Sequence, residues 1–266
     1  MKAVSMYSPY GWKAKIGLIV PSTNTINEPE FWRLAPAGVT IHTARALLLG
    51  PATEESYFKM AAAVDGAAEE LATAEVDVIA YGCTSGSIIC PLPELIRNMN
   101  EKTGVPAIAT AGAVVAALRA LGITRVAVGT PYVEFVNDSE KKFLEDYGFT
   151  VTSMHGLQLG VTQEERRGIG RVPPEVVFRM ARAIDRPNAQ AIFISCTNLA
   201  TLDVIAEIEQ ELGKPVVTSN QACFWACLRL LGIRSSIAGY GRLLEECLDP
   251  IDASSYAMSP KLLQSA

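Results

Sequence analysis

The chain has 266 residues, 49% of them apolar, and a formal net charge of −5. No Lys/Arg cluster is present to neutralise phosphates, so no nucleic-acid partner is expected. No apolar run is long enough to span a bilayer and no secretory h-region opens the chain, so no membrane partner is expected and the expected compartment is cytoplasmic, with reduced thiols.

The length allows one large domain or two small ones, and the pattern favours an α/β chain. Residues 15–20 (KIGLIV) read as a first strand, followed by the donor-rich turn Pro21-Ser22-Thr23-Asn24-Thr25. Residues 39–43 alternate as a second strand. Residues 54–75 read as one helix with Met60, Val64, Ala67, Ala68 and Leu71 on a single stripe. Residues 77–81 form a third strand that runs into Cys83. A helix over 91–100 closes at Gly104, and a strand over 105–108 leads to a helix over 111–121.

The pattern then restarts. Residues 125–129 (RVAVG) match 15–19 at an offset of 110, and Leu118–Ile123 match Leu228–Ile233 at the same offset. Gly104-Val105-Pro106 matches Gly213-Lys214-Pro215, and Cys83 has its counterpart in Cys196. The chain therefore reads as a duplicated unit: an N-terminal lobe over 1–121, completed by the tail 233–266, and a C-terminal lobe over 122–232. The second unit continues with a strand over 149–154, an irregular charged loop over 160–172, a helix from Pro173 to Ala183, a strand over 191–195, an amphipathic helix over 199–212, a strand over 215–218 and a helix over 222–231. The segment 239–248 is expected to return as a helix onto the first lobe, and the last dozen residues are expected to be mobile. The fold class is two pseudo-symmetric doubly wound lobes with mainly parallel sheets and a site in the cleft between them.

Chemistry concentrates where strands end. Cys83 and Cys196 each follow an apolar strand, where N–H groups of a following helix lower a thiol pKa and hold anions. Ser22 and Asn24 follow the first strand, and Tyr132 follows its counterpart, so hydroxyl and amide donors point into the same cleft and suit a carboxylate. The other four cysteines read as buried small hydrophobes, and His42 and His155 as structural. Residues 164–167 (EERR) read as a solvated face, and Asp203 and Glu207 as unpartnered surface charges. No zinc-type spacing, Walker glycine pattern or dinucleotide fingerprint occurs, so neither metal nor cofactor is expected. Two opposed thiols are compatible with racemisation, with addition to an activated double bond, or with protonation of an enediolate after loss of carbon dioxide.

At these residues the chain resembles the aspartate/glutamate racemase superfamily, most closely the branch of maleate cis-trans isomerase and arylmalonate decarboxylase. The resemblance spans roughly residues 15–246 and rests on Pro21-Ser22-Thr23-Asn24-Thr25, Gly82-Cys83-Thr84-Ser85, Pro131-Tyr132, Ser195-Cys196 and Gly213–Val217. It implies a pseudo-symmetric cofactor-independent enzyme with Cys83 as nucleophile, Cys196 as proton donor, Asn24 as a carboxylate-binding amide and Tyr132 as a substrate-binding residue. Thr84, Ser85 and Thr197 are expected to add contacts to carboxylate oxygens. The decarboxylases have glycine where Cys83 stands, whereas Leu199–Asp203 and Phe224-Trp225 look closer to the decarboxylase side. The isomerase also carries an asparagine in the loop matched by 160–170, where this chain has none and Thr162 or Gln163 is the expected substitute. The expected function is cis-trans isomerisation of a small unsaturated dicarboxylate by a homodimer or higher homo-oligomer. A racemase and an arylmalonate-type decarboxylase are the alternatives, and a non-catalytic binder of a small acid is the alternative of another class.

Overall fold

The computed structural model describes residues 8–252; the expected mobility of the last dozen residues lies outside them. Strands β1 (Ala14–Pro21), β2 (Val39–Ala46), β3 (Val78–Tyr81) and β4 (Ala107–Ala109) form one sheet in the order β2-β1-β3-β4. Strands β5 (Arg125–Thr130), β6 (Thr150–Gly156), β7 (Ala191–Ile194) and β8 (Val216–Thr218) form a second, in the order β6-β5-β7-β8. Every pairing is parallel and the two orders are the same, so the duplication seen in the sequence is a duplication of topology. Parallel strands buried on both faces need continuous apolar runs, and β3 (VIAY) and β7 (AIFI) are buried at every position.

The helices are α1 (Asn27–Leu34), α2 (Glu54–Ala61), α3 (Val64–Thr73), α4 (Thr84–Ile89), α5 (Leu92–Thr103), α6 (Thr110–Ala120), α7 (Glu134–Asp146), α8 (Gln163–Gly168), α9 (Pro174–Ile184), α10 (Ile205–Leu212), α11 (Ser219–Leu230) and α12 (Arg242–Glu246). The stripe predicted over 54–75 is buried throughout, but the helix breaks at Ala62 and Ala63, where Ala63 N–H bonds the Met60 carbonyl three residues back. Gly104 closes α5 in the left-handed conformation, at φ 68°. The small residues of α6 let it lie buried against α11, and this pair, with α4 against α7, joins the lobes.

Two local expectations are corrected. The predicted helix over 199–212 begins only at Ile205; the turns before it give the N–H groups of Thr201 and Leu202 to the Glu30 carboxylate of α1, at 2.7 and 3.1 Å. The loop over 160–172 contains α8 and a 3-10 turn (Ile169–Arg171), started by a capping box in which Thr162 accepts from Glu165 N–H. The tail helix α12 packs on α11 and β8, and the segments on either side of it meet the first lobe: Lys13 Nζ donates to Ser235 Oγ at 2.9 Å, the Arg33 guanidinium lies 6.0 Å from the centre of the Tyr240 ring, and residues 246–252 face Ala116, Arg119 and Ala120 of α6. Trp225 and Arg229 of α11 both donate to the Cys247 carbonyl, and Glu209 of α10 accepts from Arg242 N–H. Among the described residues no helix is long and apolar enough to cross a membrane.

Glu30 is the strongest polar tie between lobes. It is buried, and besides Thr201 and Leu202 it accepts from Asn220 Nδ2 at 2.7 Å. Desolvation raises its pKa, and these donors work against that rise. Glu30→Ala strands these donors without an acceptor and is expected to cost about 3 kcal/mol or more. Thermal and urea unfolding check this; an unchanged midpoint would show that the tie carries no stability.

Candidate active site

The carboxyl ends of β1, β3, β5 and β7 open onto one cavity between the lobes, lined from both. Its walls include Thr23, Asn24, Cys83, Thr84, Ser85, Tyr132, Cys196 and Thr197, with Leu48, Ala52, Tyr57, Leu159 and Ile169 as the apolar part. Seven of the eight residues predicted for the site therefore meet there. The eighth, Ser22, is absent from the lining: its Oγ accepts from Leu48 N–H at 3.0 Å and holds the loop after β2, while Thr23 faces the cavity instead.

Each sulfur is set by its own turn. Cys83 is the N-cap of α4, and its Sγ accepts from Gly86 N–H at 3.3 Å. A side chain at Gly86 would crowd this sulfur at 3.0 Å, so the close approach requires glycine. Cys196 sits at φ 107°, a conformation costly for a residue with a Cβ, and its Sγ accepts from Asn198 N–H at 3.4 Å. The lobes are stitched beside both sulfurs. Cys196 N–H and the Thr84 hydroxyl both donate to Ser219 Oγ, at 3.0 and 2.8 Å. Asn24 Nδ2 donates to Thr197 Oγ1, which donates on to the Gly82 carbonyl. Asn24 Oδ1 meanwhile accepts from the N–H groups of Ile26 and Asn27, so the amide is locked with its NH₂ on the cavity side.

The expectation that N–H groups lower the thiol pKa is overturned by burial. Desolvation raises both thiols, Cys196 to about 12. The opposition to that rise is unequal. Cys83 has the Gly86 N–H, the Ser85 and Tyr81 hydroxyls and the Arg166 charge. Cys196 has Tyr132 and the Asn198 N–H, and it also faces the fields of Cys83 and Glu140. Of the two sulfurs, Cys83 is the more readily ionised.

Two groups went unseen in the sequence. Arg166, read as part of a solvated face, is buried and lines the cavity. The signal for it was the Thr162–Glu165 capping box, which starts α8 and turns its next residue inward. Glu140 of α7 is fully buried behind Thr84 and Phe193, and neither carboxyl oxygen reaches hydrogen-bond geometry. Burial pushes its pKa up to about 8, against only the Ser195 hydroxyl beside it. Asp203, expected to be unpartnered, pairs with Arg33 at 2.6 Å on the surface, whereas the predicted histidine roles stand unchanged outside the cavity lining. Among the described residues no group of three or more His, Cys, Asp or Glu is placed to hold a metal ion.

The family model for arylmalonate decarboxylase matches residues 16–244. The arylmalonate decarboxylase of Bordetella bronchiseptica is 35% identical over 87% of this chain and 96% of its own length. The maleate isomerase of Nocardia farcinica is 30% identical over 87% of this chain and 96% of its own. A solved cysteine-to-serine variant of a Nocardia farcinica maleate cis-trans isomerase, with a covalently bound succinylcysteine intermediate, superposes at a TM-score of 0.81 and 26% identity, covering 88% of this chain and 98% of that one.

The Glu140 carboxyl keeps its proton in the folded protein to about pH 8, whereas in the unfolded chain it ionises near the ordinary 4.5. The folded state therefore binds more protons between those values, and stability falls as pH rises from about 4.5 to 8, by up to about 1.4 kcal/mol per unit. Glu140→Gln is expected to remove this slope. Urea midpoints at pH 5.5, 7 and 8 check it, and parallel curves for the two proteins would refute it.

Proposed function

The chain belongs to the arylmalonate decarboxylase family, and from that membership we propose that it is a cofactor-independent isomerase turning a small cis-unsaturated dicarboxylate into its trans form. The observation that carries the reading is the pair of cysteines, one from each lobe, lining a single cavity rich in neutral donors. The relatives are enzymes, maleate isomerases among them, and the succinylcysteine of one such isomerase is the adduct this reading requires.

Between them the two sulfurs hold one proton during the reaction. The Cys83 thiolate bonds to one alkene carbon, and the π electrons take the proton of Cys196 at the other. The former double bond is now single and rotates. Cys196 thiolate then recovers the proton, the carbon–sulfur bond breaks back to Cys83, and the trans diacid leaves with no net change in the protein. The Asn24 amide, the Ser85 and Tyr132 hydroxyls and the backbone N–H groups of Thr84 and Thr197, whose own hydroxyls are given to Ser219 and Gly82, hold carboxylate oxygens without bringing competing negative charge.

Arylmalonate decarboxylation is a second reading, favoured by the 35% identity to the Bordetella bronchiseptica enzyme. It needs Cys196 alone, to protonate an enediolate, and leaves Cys83 without a role.

Proton NMR of maleate incubated with the protein is expected to reveal fumarate, with Cys83→Ala inactive and Cys196→Ser accumulating a covalent adduct seen by mass spectrometry. Release of carbon dioxide from phenylmalonate by Cys83→Ala, with no fumarate from the wild type, would move the assignment to a decarboxylase. A second expectation concerns pH. Because burial raises the Cys83 thiol above its ordinary 9.0, the thiolate fraction grows about tenfold per unit below that value. kcat/KM for maleate is thus expected to climb from pH 6 to 9 without a plateau, and a plateau beginning at pH 7 would mean that Cys83 is ionised there.

A further inference from the structure

Arg166 is a buried cation whose counter-charge is missing. Its side chain lines the cavity that holds Cys83 and Cys196, and the residue is 5% exposed. Its hydrogen bonds go to neutral acceptors: Nη1 donates to the Gly50 carbonyl and Nη2 to Ser56 Oγ, each at 3.0 Å. The guanidinium carbon lies 5.0 Å from the centre of the Tyr57 ring, a cation–π contact that fixes its plane. Among the described residues no Asp or Glu pairs with it, whereas arginines such as Arg33, Arg45 and Arg182 do have carboxylate partners.

Taking an arginine out of water without a partner costs several kcal/mol, and an anion arriving in the same cavity recovers that cost. A guanidinium has five N–H donors in a planar fork matched to a carboxylate, and two of the five are accounted for by Gly50 and Ser56. The other polar groups of the cavity, Asn24, Thr84, Ser85, Tyr132 and Thr197, are neutral, and they supply one donor-lined carboxylate site without charge selection. A second carboxylate near Arg166 gives the cation its missing partner. Apolar groups would leave it unpaired.

We propose that Arg166 is the specificity-determining residue of this site: its buried guanidinium binds one carboxylate of the ligand and selects dicarboxylates over monoacids. The proposal rests on the dicarboxylate reading above for its biological meaning, but its test uses ligands that cannot react. The position of Arg166 beside Tyr57 places this carboxylate at the end of the cavity formed by α2 and α8.

The experiment is calorimetric binding of succinate and of butyrate, at pH 8, to the wild type, Arg166→Met and Arg166→Lys. Succinate is expected to bind the wild type about 30-fold or more tighter than butyrate, the gap closing in Arg166→Met and partly surviving in Arg166→Lys. Butyrate, whose one carboxylate pairs either with Arg166 or with the neutral donors, is expected to lose several-fold less affinity than succinate in Arg166→Met. Equal weakening of both acids by Arg166→Met would mean that the arginine only latches α8 to the loop around Gly50, and this would overturn the proposal. So would equal affinity of the wild type for the two acids. Thermal melting with and without succinate checks that each variant is folded, and the charge-keeping lysine supplies the reading if the methionine variant does not fold. Arginine-dependent succinate binding without maleate conversion would sink the isomerase assignment alone. Maleate conversion with unaltered succinate binding in Arg166→Met would sink this proposal alone.

Discussion

The geometry of this site hangs on a carboxylate that never touches the cavity. Glu30 sits on the first lobe and is wrapped by donors of the second, Thr201, Leu202 and Asn220. Leaving it unsatisfied would be costly, and so would leaving those N–H groups unpaired, so neither side can withdraw. The Thr201 and Leu202 N–H groups are committed there, and the chain after β7 does not wind directly into a helix. It stays in turns to Val204, with Cys196 held at φ 107° at their head. Cys196 thus heads a run of turns that an inter-lobe contact anchors several residues further along.

Burial then decides the charges. Burial penalises every ion, so both thiols are held towards their neutral forms, and what separates them is the local set of partners. Cys83 gains from Gly86 N–H, two hydroxyls and Arg166, while Cys196 faces Glu140 and the other sulfur. The same low-dielectric setting makes Arg166 more consequential than any surface arginine. Arg33, paired with Asp203 in solvent, carries the same charge with far less effect on chemistry.

Much of this was legible because strand runs and the offset of about 110 residues depend on local pattern alone. The duplicated sheet order, the cysteines at equivalent strand ends and the cavity between them all follow from that pattern. What escaped it was burial created at long range. The stretch 164–167 has the composition of a solvated face, and three of its residues behave as one, but α8 docks so that Arg166 enters the cavity. Ser22 and Asn24 are indistinguishable as donors in the sequence. Only the loop after β2, which offers Leu48 N–H to Ser22, decides that one is scaffold and the other lining. The thiols were misjudged for a related reason: a helix N–H is visible in the pattern, whereas desolvation depends on what closes over the site.

The two halves share a topology and differ in the turn that matters most. After β3 the chain enters α4 almost at once, with Cys83 as its N-cap and glycine at the position nearest the sulfur. After β7 the matching cysteine is followed by turns whose donors are spent on Glu30 and Ser219. A symmetric pair of sulfurs would compete for one proton without preference and would suit chemistry that runs equally in both directions at either face. Unequal turns break that degeneracy, giving one sulfur an N–H donor, two hydroxyls and a nearby cation, and the other a strained backbone beside a buried carboxyl. Divergence of the two turns is thus the structural difference that makes one cysteine easier to ionise than its twin.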